Sequence, residues 1–380
     1  MSLKVITDAN EFDKIQPSWD EFVVKTGTNW HFLGEVVRAQ MARCRSQGGI
    51  PLVVLGLTEG HVVGVCAFEM RHRLGLRYSN FLLPTVLSPD FLVEPEYHQS
   101  LVEESLDFLL RRMRCRVVTL DFPTGSPQEA ASKAYFAENG LRSTSKKLGK
   151  HSVLLVDGIW KDFERRRGSN FRNHFKKIES KLTERGPWRI VQAKANSAEC
   201  ITKIATVESH SWKHEGTGER SLGLADLDPT LLDYTSYHGS QLTDQLCPRV
   251  WFLELQDTPI AFAIAAEING VACLAKTSYD SRYRNLYPGE YVQNAVIRSL
   301  LDSKLVFRID FMTFLPYHRR WTSSWEDRET LRISLRGFAF SALDAVVRRF
   351  RLAKRVAKRQ ASYRQFLPQR LFNDGRIGDR

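Results

Sequence analysis

Between Lys276 and Leu301 the chain sets two arginines, Arg282 and Arg284, and three tyrosines ahead of Pro288-Gly289. Proline fits the first turn of a helix because its φ is already helical. The run from Pro288 is therefore expected to open a helix. A helix start presents unpaired N–H groups and partial positive charge, which suits a phosphate or another anion. Gly289 would let the backbone come close to such a ligand, and the two arginines would add charge-assisted contacts. The same residues also fit a plain strand–loop–helix corner with its arginines in water. Elsewhere His210 and His214 share an i, i+4 spacing that suits a metal. No third ligand accompanies them, so no metal is expected.

The elements that must position these residues follow from apolar periodicity and turn chemistry. Residues 1–45 read as two helices, the first capped by Asp8 or Asn10. Pro51–Leu57 and Val62–Phe68 read as a hairpin around Glu59-Gly60. Tyr97–Arg112 and Gln128–Asn139 have helical spacing, with Gly140 ending the second. Strands are expected at Val117–Phe122 and His151–Val156. Trp160–Leu182 is a basic helix with a break at Gly168-Ser169-Asn170. Arg189–Ala193 is a strand, Ala198–Lys213 a helix with Glu208, His210 and Trp212, and Pro229–Leu246 another helix. Arg249–Leu255, Pro259–Glu267 and Val271–Lys276 form an antiparallel set, joined by Gln256-Asp257-Thr258 and by Asn269-Gly270, the strongest hairpin signal in the chain. Val306–Phe311 and Thr330–Leu335 complete the strands. The second half repeats the order of the first at greater length, which points to two related α/β (α+β) units.

At 380 residues the chain is long for one domain. It is 43% hydrophobic and 26% charged, an ordinary globular balance. No apolar run approaches the ~20 residues of a membrane helix, and the first residues do not read as a signal peptide. Six scattered cysteines without metal spacing suit reduced core residues in a cytosolic protein. Residues 345–372 hold nine Lys or Arg and no acid, three quarters of the net charge of +12.

Six segments carry a resemblance to a known family. Ile260–Ala266, Asn269-Gly270, Ser278-Tyr-Asp-Ser-Arg-Tyr, Tyr287-Pro-Gly289, Arg308-Ile-Asp-Phe311 and Pro316-Tyr-His-Arg-Arg-Trp321 resemble the cellulose-biosynthesis (BioF2-like) acetyltransferases of the GNAT superfamily. The basic helix around Ser169–Lys177 is similar too, and the first hairpin looks like a degenerate first half. The resemblance implies tandem GNAT-like domains, each a mostly antiparallel sheet flanked by helices, a fold shared with the aminoacyl transferases that build peptidoglycan bridges. The implied boundaries are 1–157, 158–340 and a basic tail at 341–380.

The resemblance also implies roles. A cradle for the pyrophosphate of acetyl-CoA or another acyl-CoA, used as co-substrate, maps to Lys276, Arg282, Arg284, Tyr287, Gly289 and Tyr291. The family's further glycine is absent here, and Glu290 would repel a phosphate. Acyl transfer to an amine needs a base, an oxyanion donor and an acid for the thiolate. Tyr317 matches the family's tyrosine acid, or is a packed aromatic. His318 replaces a frequent lysine and titrates near neutrality, so it is a candidate base. Asp310 orients one of these or caps its loop. Glu267 lies near where such bases occur, or is simply exposed. Glu208, His210 and Trp212 would wall the acceptor pocket.

Phe338–Ala361 reads as an amphipathic helix, with Leu343, Val346 and Phe350 on its stripe. It suits an anionic membrane surface, contacted through residues 345–372, or an acidic partner. The expectation is a cytoplasmic N-acyltransferase, peripheral at the inner membrane face, acting on a small-molecule or glycan amine: a sugar, a polysaccharide precursor or an amino acid. The alternatives are a tRNA-dependent aminoacyl transferase, the less favoured nucleic-acid reading, and a non-catalytic GNAT scaffold that recruits partners.

Overall fold

Three two-residue turns set much of the sheet. Glu59-Gly60, Gln256-Asp257 and Asn269-Gly270 all take positive φ at both positions. That geometry matches the right-handed twist of the strands it joins. The first turn links β2 (Ile50–Thr58) to β3 (His61–Arg73). The other two join β9 (Arg249–Leu255), β10 (Thr258–Ile268) and β11 (Val271–Tyr279).

The structure is a computed structural model that describes residues 1–73, 75–84, 89–211, 234–238 and 246–334. The remaining strands are β1 (Ser2–Ile6), β4 (Leu76–Phe81), β5 (Leu92–Val93), β6 (Val117–Pro123), β7 (Arg142–Leu155), β8 (Trp188–Lys194), β12 (Arg308–Asp310) and β13 (Trp325–Ser334). Among the described residues all belong to one mixed sheet, in the order β1-β2-β3-β4-β6-β13-β7-β12-β11-β10-β9-β8, with β5 on β3. The helices are α1 (Ala9–Thr26), α2 (Gly34–Ser46), α3 (His98–Asp107), α4 (Pro127–Glu138), α5 (Trp160–Arg185), α6 (Ala198–Ser209) and α7 (Pro288–Ser303). The core lies on both faces. One apolar cluster joins α1, α2 and α6 to the sheet, and another joins α5 and α7 to it.

Several expectations hold. Asp8 caps α1. Gly168 breaks α5 with φ 79°. Pro288 opens α7. Others need correction. The chain begins with a strand, because residues 2–6 pair antiparallel with β2. β7 starts at Arg142, well before His151, and β13 starts at Trp325 rather than Thr330. Only Arg308–Asp310 of the expected Val306–Phe311 strand pairs as β12. α6 ends at Ser209 and not at Lys213. The Ser209 hydroxyl bonds back to the Thr206 carbonyl, and Ser211 is drawn into a bridge with Asp280. Trp212, His214, most of the helix expected at Pro229–Leu246 and the tail at 341–380 lie outside the described residues.

Two features of the sheet position the site. β7 pairs with β12, so a strand from the first half carries the strand that follows α7. β11 and β12 pair in parallel over only three residues, Val271–Cys273 with Arg308–Asp310. Past Asp310 the chain turns at Met312, which has φ 58°. β11 runs on to Tyr279 beside β10 alone, and the two strands part in a fork.

Candidate active site

The start of α7 is assembled from three elements. A 3-10 turn, Ser281–Leu286, delivers Tyr287 in the left-handed conformation, φ 52° and ψ 44°. That is the conformation glycine adopts freely, and a tyrosine holds it only under strain. No side chain caps the helix. Gly289 is needed for packing: a Cβ there would lie 3.0 Å from the ring of Tyr279. The room expected for a ligand on that side is therefore filled by a ring, and the amides remain the approach.

Glu290 is compensated. Its carboxylate lies 2.9 Å from His174 of α5 and 3.1 Å from Arg320. Lys181 stands over the Tyr287 ring at 5.1 Å and donates to the Asn285 carbonyl. Arg282 forks onto the buried Asp280, with contacts of 2.6 to 3.0 Å, which weakens its pull on a distant anion. Arg284 is exposed. Tyr291 is buried and donates to Glu179 of α5 at 3.0 Å, so it ties two helices together.

The fork carries Tyr317 in a 3-10 turn, Pro316–Arg320. Its ring meets His318 and Trp321 edge-on, and it is 37% exposed. Burial, and then the charge of Glu290, push its hydroxyl up to about 12, so it keeps its proton. Trp321 is fully buried and donates to Asn294 of α7 at 3.0 Å, which fixes the turn against the helix. His318 is buried. Its Nδ1 accepts from the Leu315 amide at 3.3 Å and lies 3.2 Å from the Ser152 hydroxyl. Burial holds its pKa down at about 4, so it is neutral and a weak base. It anchors the loop that carries Tyr317. Asp310 closes the strand pairing at the vertex of the fork. Despite its burial, His151 at 3.7 Å and the Met312 amide at 2.6 Å hold its carboxyl below the usual range.

The other expected residues lie apart. Glu267 is paired with Arg249 of the neighbouring strand. In β11 the register slips by one between Leu274 and Lys276, so Ala275 is an extra residue. That slip swings Lys276 to the α6 face. There, itself half-buried, it meets the buried Glu208 at 3.7 Å. His210 is the C-cap of α6 and its ring bonds to Ser209 and the Thr206 carbonyl.

On the sheet face opposite α7, a cavity of about 340 Å³ is lined by Asn29, Asp90, Cys273, Arg308, Asp310 and Arg328 among others. Asp90 and Arg328 were not singled out by sequence reasoning. Neither stands in a recognisable motif, and they meet only through the folded sheet. His174 and Arg320, which compensate Glu290, were missed for the same reason.

Residues 169–321 match a family described as the acetyltransferase (GNAT) domain. This stretch has the GNAT acyltransferase fold. No curated protein matches the chain. Among solved structures FemX is similar over 87% of this chain and 97% of its own, with TM-score 0.59 and 10% identity. L-PGS from Bacillus licheniformis is similar over 89% and 95%, with TM-score 0.54 and 9% identity. A conserved Bacteroides thetaiotaomicron protein of unknown function follows over 88% and 100%, with TM-score 0.56 and 9% identity. At such identities the likeness is one of fold, and it spans most of the chain. No helix among the described residues is long and apolar enough to cross a membrane.

Proposed function

We propose that this protein transfers an acyl group from acetyl-CoA or a related acyl-CoA to an amine. The observation that carries the reading is the fork between β11 and β12. It has the uncapped start of α7 on one face and a charged cavity on the other. A thioester entering from the α7 side would meet an amine from the cavity at the vertex.

The chain's residues fit these tasks. The amides at the start of α7 suit a diphosphate, with Arg284 and Lys181 adding positive charge. Glu290 does not block it, because Arg320 takes up its charge and His174 holds its carboxylate in place. Among the described residues the fork side of β11 beyond Cys273 has no second strand beside it, so amides on that side suit a developing oxyanion. Tyr317 keeps its proton and can pass it to the departing thiolate, and the proton released by the amine nitrogen restores the phenol. Asp310 stays ionised at the vertex and can orient the incoming amine. The amine belongs to a sugar, a polysaccharide precursor or an amino acid.

One observation favours a second donor. α5 exposes Arg165, Lys176, Lys177, Lys181 and Arg185, and such a surface attracts a polynucleotide electrostatically. Aminoacyl-tRNA is then the donor. Thermal shift separates the readings, since a ligand of the folded state raises its melting point. Saturable stabilisation by acetyl-CoA supports the first, and stabilisation by a charged tRNA alone supports the second. A flat response to both removes each.

A further inference from the structure

The charges around the cavity fall into two groups. One set is matched internally: Asp310 lies 3.7 Å from His151 and 3.7 Å from Arg308, and Arg308 lies 3.2 Å from Glu326. Arg328 on β13 is different. It is 2% exposed and lines the cavity. Its Nη2 donates to two carbonyls, Pro89 at 3.3 Å and Asp121 at 3.4 Å, both long contacts. Among the described residues its Nε has no hydrogen-bond partner and no carboxylate is in ion-pair contact with it, while Asp90, Glu326, Asp121 and Asp310 attract it from farther away. Asp90 lines the same cavity, but burial pushes its carboxyl up to about 7, so at neutral pH it supplies only part of a counter-charge.

Burying a guanidinium with no anion in contact costs several kcal/mol. Holding up two carbonyl oxygens does not require that charge, because a neutral donor would do so. A cavity of about 340 Å³ sits at the small end of ligand pockets, so it suits a small molecule. We propose that the occupant carries an anionic group, a carboxylate or a phosphate monoester, that binds Arg328. If the acyl-transfer reading holds, this occupant is the acceptor. Its ammonium end then lies toward Asp310 at the vertex, and its anionic end on Arg328. The acceptor class narrows to small zwitterionic amines: amino acids or phosphorylated amino sugars, and not neutral ones.

Isothermal titration calorimetry on the full chain tests this without any turnover. The probes are the standard α-amino acids and glucosamine 6-phosphate, with glucosamine as the amine lacking an anion. At least one anionic amine should bind saturably, and glucosamine should bind at least tenfold more weakly. Whether the winning probe is a carboxylate or a phosphate names the source of the anion. Arg328→Gln should weaken that probe at least tenfold. Should Arg328→Gln fail to fold by near-UV circular dichroism, Leu92→Trp fills the cavity from a partly exposed position and should give the same loss. No binding by any anionic probe to the folded wild type would overturn the proposal, as would undiminished binding in a folded Arg328→Gln or Leu92→Trp. Anion binding with no acyl transfer from acetyl-CoA would keep the Arg328 site and remove the acyl-transfer reading. Acetylation of glucosamine at a rate unchanged by Arg328→Gln would do the reverse.

Discussion

Glu290 and His174, 116 residues apart in the chain, meet at 2.9 Å across the start of α7. The contact gives an acid that would repel a phosphate a hydrogen-bond partner, and Arg320 at 3.1 Å supplies a cation. Glu290→Gln should therefore do two things. Stability should fall by only about 1 kcal/mol, because all three groups keep some contact with water. The KM for acetyl-CoA should fall by roughly threefold, because a carboxylate is removed and Arg320 is released beside the helix start. Denaturant unfolding and donor titration check this; a raised KM with unchanged stability would contradict it.

Tyr317 is the proposed proton donor to the thiolate. Tyr317→Phe should lower kcat by roughly 100-fold, with donor KM and melting temperature little changed. Since the wild-type hydroxyl titrates near 12, no loss of kcat between pH 7 and 10 should trace to this group. A kcat within twofold of wild type would assign the ring to packing alone.

His318 makes the fold sensitive to acid. Its pKa falls from 6.5 to about 4 on folding, because burial disfavours the imidazolium. The unfolded chain therefore takes up this proton first, and stability is lost as pH drops from about 6.5 toward 4. His31, buried against Tyr234 and lowered to about 3, acts in the same direction. Asp90, raised to about 7, acts in the opposite direction between pH 7 and 3.8. Unfolding free energies of His318→Asn, measured from pH 7 to 4.5, should fall less steeply than those of the wild type. Parallel curves would mean that His318 is not held neutral.

Lys276 and Glu208 form a pair on the α6 face, 3.7 Å apart. Lys276→Met alone should cost about 3 kcal/mol, because it leaves a buried carboxylate without its cation. Adding Glu208→Leu should restore most of that loss. A double-mutant cycle by urea denaturation reads the coupling. Additive losses would show that the pair is not coupled, and a rise in donor KM would return Lys276 to the cradle.

The hairpins, the Gly168 break and the opening of α7 were legible because each is written in local residue chemistry. Asn269-Gly270 needs no distant partner to declare a turn, and Pro288 none to declare a helix start. The placement of Lys276 was not legible. One extra residue at Ala275 inverts the strand, and nothing in the composition of β11 marks that slip. The length of β7 was missed because Arg142–Gly149 is exposed and polar, so it lacks an apolar pattern. Arg328, Asp90, His174 and Arg320 act through contacts with residues far away in the chain, and spacing carries no trace of those contacts.

Hydrogen–deuterium exchange of the full chain with and without acetyl-CoA reads the donor site amide by amide. Protection should appear at Gly289–Tyr291 and along Leu274–Thr277, where the start of α7 and the open edge of β11 would hold the diphosphate and the thioester. Bound acetyl-CoA that leaves both segments unprotected, or protects only a different surface, would contradict the account.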